Sequence, residues 1–288
     1  MESIILLNMK ITCLVENKSI SHAYKHKHGL SFFIKTKKHN ILFDVGPDKT
    51  YYDNAKKLGI DLSEVDILVI SHGHRDHGGG LSHFLKMNKK AKIYIRKEAF
   101  EKHYTRFHDL RISIGLNSAL KNNKRIIFTN DVTRIDDELT IFCNVTGRDL
   151  FSYMNGPLEV KRNNNFQRDR FEHEQYLSVN EDKSVLITGC THNGIVNVMR
   201  KYDTLFPNKY LDVVIGGFHL SDPSRRKNED EGRIDSIARY LLTRDEHYYT
   251  CHCTGDIPYK QMKDTMKNKL DYIKAGQEIY LAKYTHLS

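Results

Sequence analysis

The chain of 288 residues has no tryptophan and only five prolines. No Pro-, Gly- or Ser-rich stretch interrupts it, so nothing marks a linker between two domains. It reads as one domain over 1–288, with a surface excursion around 105–176. Long apolar runs are also missing: Ile4–Leu7 and Ile67–Ile70 fall far short of the ~18 residues a membrane span needs. The start, Met1-Glu2-Ser3, carries acid where a secretory signal carries base, and Asn8 and Lys10 break the apolar stretch at once. A cytoplasmic protein is expected. The five cysteines, Cys13, Cys143, Cys190, Cys251 and Cys253, are odd in number and scattered, which excludes a paired disulfide framework and suits a reducing compartment. No long block of one charge occurs either. Lys+Arg 45 against Asp+Glu 36 leaves +9, spread over short clusters such as Lys35/Lys37/Lys38 and Arg225–Lys227. That excess suits a small anionic substrate; specific nucleic-acid binding, which needs a dense basic groove, is not expected.

What is present is an alternation of strands and helices. Lys10–Val15, Leu30–Ile34, Ile41–Phe43, Val65–Ile70 and Lys92–Ile95 read as strands, the second and third as a hairpin. Asp48–Leu58 (with Asp48 as cap), Leu81–Met87 and Lys97–Tyr104 read as helices. Leu139–Val145 is a strand, and the polar runs Lys161–Asn165 and Gln167–Glu172 read as a surface excursion or mobile loop. Further on, Ser184–Thr188, Leu211–Ile215, His247–Thr250 and Glu278–Ala282 are strands. Gly194–Lys201, Gly232–Leu242 and Ile257–Met266 are helices, the second with Ile234, Ile237, Ala238, Leu241 and Leu242 on its apolar face. Ile41–Gly46 and Val185–Cys190 echo each other, as two stacked halves of similar build would.

The chemistry concentrates in Ser71-His72-Gly73-His74-Arg75-Asp76-His77-Gly78-Gly79-Gly80. Directly after a buried strand, His72, His74, Asp76 and His77 offer imidazole and carboxylate, the donors that zinc, iron and manganese accept. His72 and His74 can point the same way from extended chain. Asp76 and His77 follow where the chain turns, placed for a second ion. The glycines let the backbone bend into a helix. A chance cluster is improbable even among 16 histidines.

This stretch resembles the His-x-His-x-Asp-His signature of the metallo-β-lactamase superfamily, and Leu42-Phe43-Asp44-Val45-Gly46 resembles the strand that precedes it there. Further matches are His28-Gly29-Leu30-Ser31, Thr188-Gly189-Cys190-Thr191-His192-Asn193-Gly194-Ile195, Gly216-Gly217-Phe218-His219-Leu220 and Cys251-His252-Cys253-Thr254-Gly255. Together they resemble the branch of metal-dependent hydrolases similar to dihydropterin ribofuranosylaminobenzene phosphate synthase, an enzyme of methanopterin biosynthesis. The resemblance implies an α/β fold, a four-layer αβ/βα sandwich of two mixed β-sheets flanked by helices. It implies two divalent transition-metal ions, zinc first, with iron or manganese as alternatives. Cys190, His192 and His252 would complete the ligand set, and Asp44 would hold a ligand histidine without being a ligand itself. His219 is a candidate proton donor or substrate contact, and His28 a candidate substrate contact. The branch usually carries an acidic pair before glutamine where this chain has His173-Glu174-Gln175, so His173 is a possible extra ligand. Cys251 and Cys253, flanking His252 in extended chain, would point to the opposite face and pack. His22, His26, His39, His83, His103, His108, His247 and His286 have no site context and are expected at the surface or in packing.

These residues imply a hydrolase or transferase that uses a metal-bound hydroxide, with Asp76 both binding metal and aiming the nucleophile. Arg75, Arg111 and Arg148 could pair with a substrate phosphate, although solvated charge is the plainer reading of each. Rival readings are a nuclease of the same superfamily, an iron-bound redox protein, and a non-catalytic metal-dependent binding protein. The intact His72/His74/Asp76/His77 set speaks against the last.

Overall fold

The structure, a computed structural model, describes residues 9–281. Ile4–Leu7, Ala282 and His286 lie outside the described residues. The chain begins with β1 (Met9–Val15), β2 (Ser31–Lys35), β3 (Asn40–Phe43), α1 (Thr50–Lys57) and β4 (Ile67–Val69). The short α2 (Arg75–Gly78), α3 (Leu81–Met87), β5 (Lys92–Ile95), β6 (Lys102–Phe107), β7 (Leu110–Ser113) and β8 (Ile126–Phe128) follow. Next come β9 (Val132–Arg134), β10 (Leu139–Cys143), β11 (Leu158–Arg162), β12 (Asn165–Arg168), β13 (Gln175–Asn180) and β14 (Ser184–Ile187). The chain continues through α4 (Ile195–Leu205), β15 (Val213–Gly216), β16 (Ser221–Asp222), β17 (Lys227–Asn228) and α5 (Glu231–Leu242). It closes with β18 (His247–Thr250), α6 (Asp256–Met266), β19 (Leu270–Tyr272) and β20 (Glu278–Leu281).

Two seven-stranded mixed sheets, ordered β20-β1-β2-β3-β4-β5-β8 and β19-β18-β15-β14-β13-β10-β9, form the two inner layers. Ile11, Phe32, Phe43 and Val69 of the first meet Ile141, Val179, Ile187 and Ile215 of the second in one apolar core. Tyr51, Ala55, Leu81 and Phe84 of α1 and α3 cover the outer face of the first sheet. Ile195, Met199, Ile237, Leu241 and Met262 of α4, α5 and α6 cover the second. The expected four-layer αβ/βα architecture is therefore present. It explains why the central strands read as unbroken apolar runs, since both their faces are covered.

The echo between residues 41–46 and 185–190 is structural. β3 and β14 each occupy the fourth place of their sheet, antiparallel to the strand before and parallel to the strand after.

Two expectations fail in the middle of the chain. The helix expected over Lys97–Tyr104 is a single 3-10 turn, Lys97–Phe100, followed by β6. Pairing of β6 with both β7 and β11 outweighs local helix propensity. The polar runs at 161–172 are only partly irregular: β11 and β12 form a hairpin with an exposed outer strand in a four-stranded sheet ordered β12-β11-β6-β7, and residues 169–172 follow as a loop. The rest of the stretch 105–176 supplies β8, β9, β10 and β13 to the main sheets. On α5, Leu242 is 39% exposed and falls outside the buried face. No helix among the described residues is long and apolar enough to cross a membrane, and all five cysteines are free.

Candidate metal centre

The site lies at the C-terminal ends of the parallel strands, where backbone ends its ladder and side chains are free to converge. His72, His74, Asp76 and His77 follow β4, Cys190 and His192 follow β14, His219 follows β15, and His252 follows β18. The turn after β4 is tight enough that a Cβ on Gly79 would lie 2.3 Å from the Pro47 carbonyl oxygen. Glycine is required there to bring the histidine motif against the first sheet.

The protons on the histidines follow from their partners. Asn155 Nδ2 donates to the His192 carbonyl at 2.8 Å, so its Oδ1, 2.9 Å from His192 Nδ1, accepts the ring proton. Asn17 repeats the arrangement on His252, with Nδ2 to the carbonyl at 3.1 Å and Oδ1 to Nδ1 at 2.9 Å. Asp44 Oδ2 accepts from His77 Nδ1 at 2.6 Å. It also accepts the Ser71 hydroxyl proton at 2.6 Å, which leaves Ser71 Oγ to accept from His72 Nδ1 at 2.9 Å. Each of these four rings thus holds a proton on Nδ1 and turns its Nε2 inward.

Those inward nitrogens meet a carboxylate and a thiol. His77 Nε2 is 3.1 Å from Cys190 Sγ and 3.3 Å from His252 Nε2. His252 Nε2 is 3.2 Å from Asp76 Oδ2, and His72 Nε2 is 3.1 Å from His74 Nδ1. The Nε2 atoms of His74 and His192 are buried without a hydrogen-bond partner among the described residues. Cys190 shares separate three-donor clusters with His72 and His77, with His192 and His219, and with His252 and Cys253. Burial, with the crowding of imidazoles, holds His72, His74 and His192 well below the usual histidine value, hence neutral. Burial opposes the charge on His77 too, but Asp76 and Asp44 lift it to about 9. Burial would raise the Asp76 carboxyl, yet His77 and His252 hold it well below the usual carboxylate range. Neutral imidazoles, one carboxylate and thiol sulfur, with buried donors left unpaired, fit borderline divalent transition metals.

His219 sits beside this group with its ring 4.1 Å from that of His192, and neither ring nitrogen has a hydrogen-bond partner among the described residues. His28 lies on the opposite rim, half exposed, with Nε2 3.5 Å from Asp76 Oδ2. Both line a cavity of about 270 Å³ together with His74, Asp76, Cys190, His192 and His252. Arg75 is at its mouth and forms no ion pair among the described residues. Arg111 is paired with Glu159 at 2.6 Å, and Arg148 donates to the Val145 and Gly147 carbonyls, so neither faces the cavity.

Several site residues escape a reading of the sequence. His173 Nδ1 accepts the Gly73 N–H at 3.0 Å and its Nε2 lies 3.1 Å from Asp169, in a His74, His103, Asp169 and His173 group whose donor atoms lie within 4.8 Å of one another. His103, expected at the surface or in packing, is buried on the same Asp169 at 2.8 Å, its ring 5.8 Å from that of His74. Glu174 accepts from the backbone N–H groups of His192 and Asn193 at 2.7 and 2.9 Å and so shapes the β14 loop. Gln175 spans the sheets, donating to the Ile70 and Tyr94 carbonyls. Cys253 corrects a direct expectation: it lines the cavity, and only Cys251 packs in the core. The chain is not extended there, because His252 takes a left-handed φ of 51°. The neighbouring His-Glu-Gln and Cys-His-Cys motifs were the only signals; Asp169, Asn17 and Asn155 had none.

A fold and donor set of this kind define a metallo-β-lactamase domain, and the sequence model described as the metallo-beta-lactamase superfamily matches residues 26–146. The chain carries that domain over the matched residues. It is 26% identical over 291 residues to the 7,8-dihydropterin-6-methyl-4-(beta-D-ribofuranosyl)-aminobenzene-5'-phosphate synthase of Methanocaldococcus jannaschii, covering 94% of this chain and 96% of that protein. An uncharacterized protein of the same organism is 26% identical over 248 residues, 85% of this chain and 90% of its own. Among solved structures, Tm1679, described as a metal-dependent hydrolase of the beta-lactamase superfamily, superposes with a TM-score of 0.80 at 28% identity. That match covers 96% of this chain and all of the other.

Proposed function

We propose that this protein is a metallohydrolase, or metal-dependent transferase, acting on a small anionic metabolite such as a phosphate ester. The observation that carries the reading is the set of four histidines whose Nδ1 protons are all held outward by Asp44, Ser71, Asn155 and Asn17. A fold spends that many buried partners on ring tautomers where the inward nitrogens have a ligand to meet. His72, His74, Asp76, His77, Cys190, His192 and His252 would hold two divalent transition-metal ions, zinc first. Such ions supply Lewis acidity and an acidified water at neutral pH.

The remaining roles fall to the chain itself. Asp76 faces the cavity and orients the attacking water through its carboxylate. His219, with both ring nitrogens unpartnered, either protonates the leaving group or contacts the substrate. His28 contacts the substrate from the opposite rim, and the unpaired Arg75 binds its anionic group. The archaeal relative's name contains a 5'-phosphate, which supports this polarity, and the name of Tm1679 supports hydrolysis.

The test is metal analysis of protein purified without added metal, followed by a screen of phosphodiesters, lactones and pterin phosphates. About two ions per chain are expected, with turnover that a chelator abolishes and added metal restores. Turnover that survives complete chelation would overturn the reading. Nucleic acid should bind weakly and lose affinity with salt; submicromolar, salt-resistant binding of a defined RNA with Asp76-dependent cleavage would install the nuclease reading instead.

A further inference from the structure

We propose that Cys253 is a metal ligand together with Cys190, so that the centre presents a pair of thiolates. The inference rests on the metal reading above and adds to it a donor that the spacing of residues 251–253 argues against. The sulfurs of Cys190 and Cys253 and a ring nitrogen of His252 all lie within 4.8 Å of one another. That is a spread a shared ion closes by small side-chain rotations. Cys253 is 4% exposed, so its sulfur is withdrawn from solvent.

The backbone is shaped to bring it there. Cys251 is fully extended (φ −167°, ψ −176°) and belongs to the core between the sheets. His252 then adopts φ 51° and opens a 3-10 turn over His252–Thr254. A left-handed conformation is strained for a non-glycine residue, and such strain gathers at functional sites. Its effect is to place two successive side chains, His252 and Cys253, on the same cavity wall.

The surroundings of the sulfur match a ligand. A Cβ on Gly217 would lie 2.5 Å from Cys253 Sγ, so the sulfur occupies space that only a missing side chain provides. The backbone N–H of His219 donates to it at 3.3 Å, whereas the Cys190 carbonyl, an acceptor for it, is 3.7 Å away. The protein thus offers a good donor and only a long acceptor, as a deprotonated ligating sulfur needs. Two thiolates favour zinc or iron(II) over manganese.

Cobalt(II) loaded into chelator-treated protein reports each thiolate through sulfur-to-cobalt charge-transfer absorption in the near ultraviolet. Cys190→Ser and Cys253→Ser should each remove about half of that band, and the double variant all of it. Gly217→Ala, which leaves both thiols in the chain but fills the berth of Cys253, should reproduce the Cys253→Ser spectrum. If Cys253→Ser leaves the full band while Cys190→Ser abolishes it, the proposal falls and Cys190 ligates alone. If no cobalt binds at all, the metal reading itself falls. X-ray absorption on the zinc-loaded native protein needs no variant. It should show sulfur at about 2.3 Å in a proportion near one per zinc; half that proportion would overturn the pair.

Discussion

β3 and β14 leave their sheets in the same way: Asp44 N–H donates to the Val69 carbonyl and Thr188 N–H to the Ile215 carbonyl, both at 2.8 Å. From that common point the two halves build the site differently. In the first half the four donors arrive together after β4, held by Ser71 beside them and by Asp44 at the end of the adjacent strand β3. In the second half donors come one or two at a time after β14, β15 and β18, and two of them, His192 and His252, take an asparagine brace from another loop. His192 is held by Asn155, 37 residues away, and His252 by Asn17, 235 residues away. A contiguous motif can be positioned by its own turn. A dispersed one exists only once the two halves have docked.

The largest effect expected from this contrast is at Asp76. Asp76→Asn keeps the side chain's size but removes charge and aim, so turnover should fall by several orders of magnitude. Cys190→Ser, from the dispersed half, should cost less in rate and more in metal affinity. Steady-state rates beside metal content separate the two. If Cys190→Ser is as inactive as Asp76→Asn with its metal fully bound, Cys190 has a chemical role and the contrast breaks.

Next in size are the distant braces. Asn155→Leu should weaken metal binding about 10–100-fold, the usual cost of losing a histidine's outer partner, with the metal-free fold intact by circular dichroism. Asn17→Leu should act in the same direction through His252. Unchanged affinity in chelator competition for both variants would show that the second half positions its ligands without help.

A smaller effect concerns pH in the metal-free protein. His77 is lifted to about 9 by Asp76 and Asp44 against the cost of burial. A folded value above the unfolded 6.5 means stabilisation fully present below about 6.5 and lost as pH rises through about 9. Thermal melts without metal should therefore decline across that window, and His77→Gln should flatten the decline. Added metal should reverse the trend, since binding at Nε2 displaces the proton and tightens as pH rises.

The smallest effect lies away from the centre. His39 bridges Asp66 and Asp136 at 2.9 and 2.6 Å, joining the β2–β3 turn to the segment before β10. Burial opposes its charge but the two carboxylates raise it, so its stabilisation is complete below 6.5 and fades above. His39→Ala should lower stability by no more than about 1 kcal/mol in denaturant melts at pH 6.

Most of the fold was legible because its central strands are apolar on both faces and its helices carry one apolar stripe, patterns that survive in one dimension. The small sheet inserted within 97–172 was not, because β6, β11 and β12 owe their strand form to pairing with one another and not to local propensity. His72, His74, Asp76 and His77 were legible for the same reason that the strands were: their spacing is itself the geometry.

The sequence by itself determined that these donors are present, that they sit at strand ends, and that the cysteines are unpaired. Tertiary structure alone decided which nitrogen of each ring turns inward, since Asn17 and Asn155 reach their histidines only through the docking of distant segments. It also decided that His173 and His103 are tied to Asp169, and that Cys253 turns inward. The alternation of side chains along a strand is a local rule, and it ends where the φ of His252 changes sign.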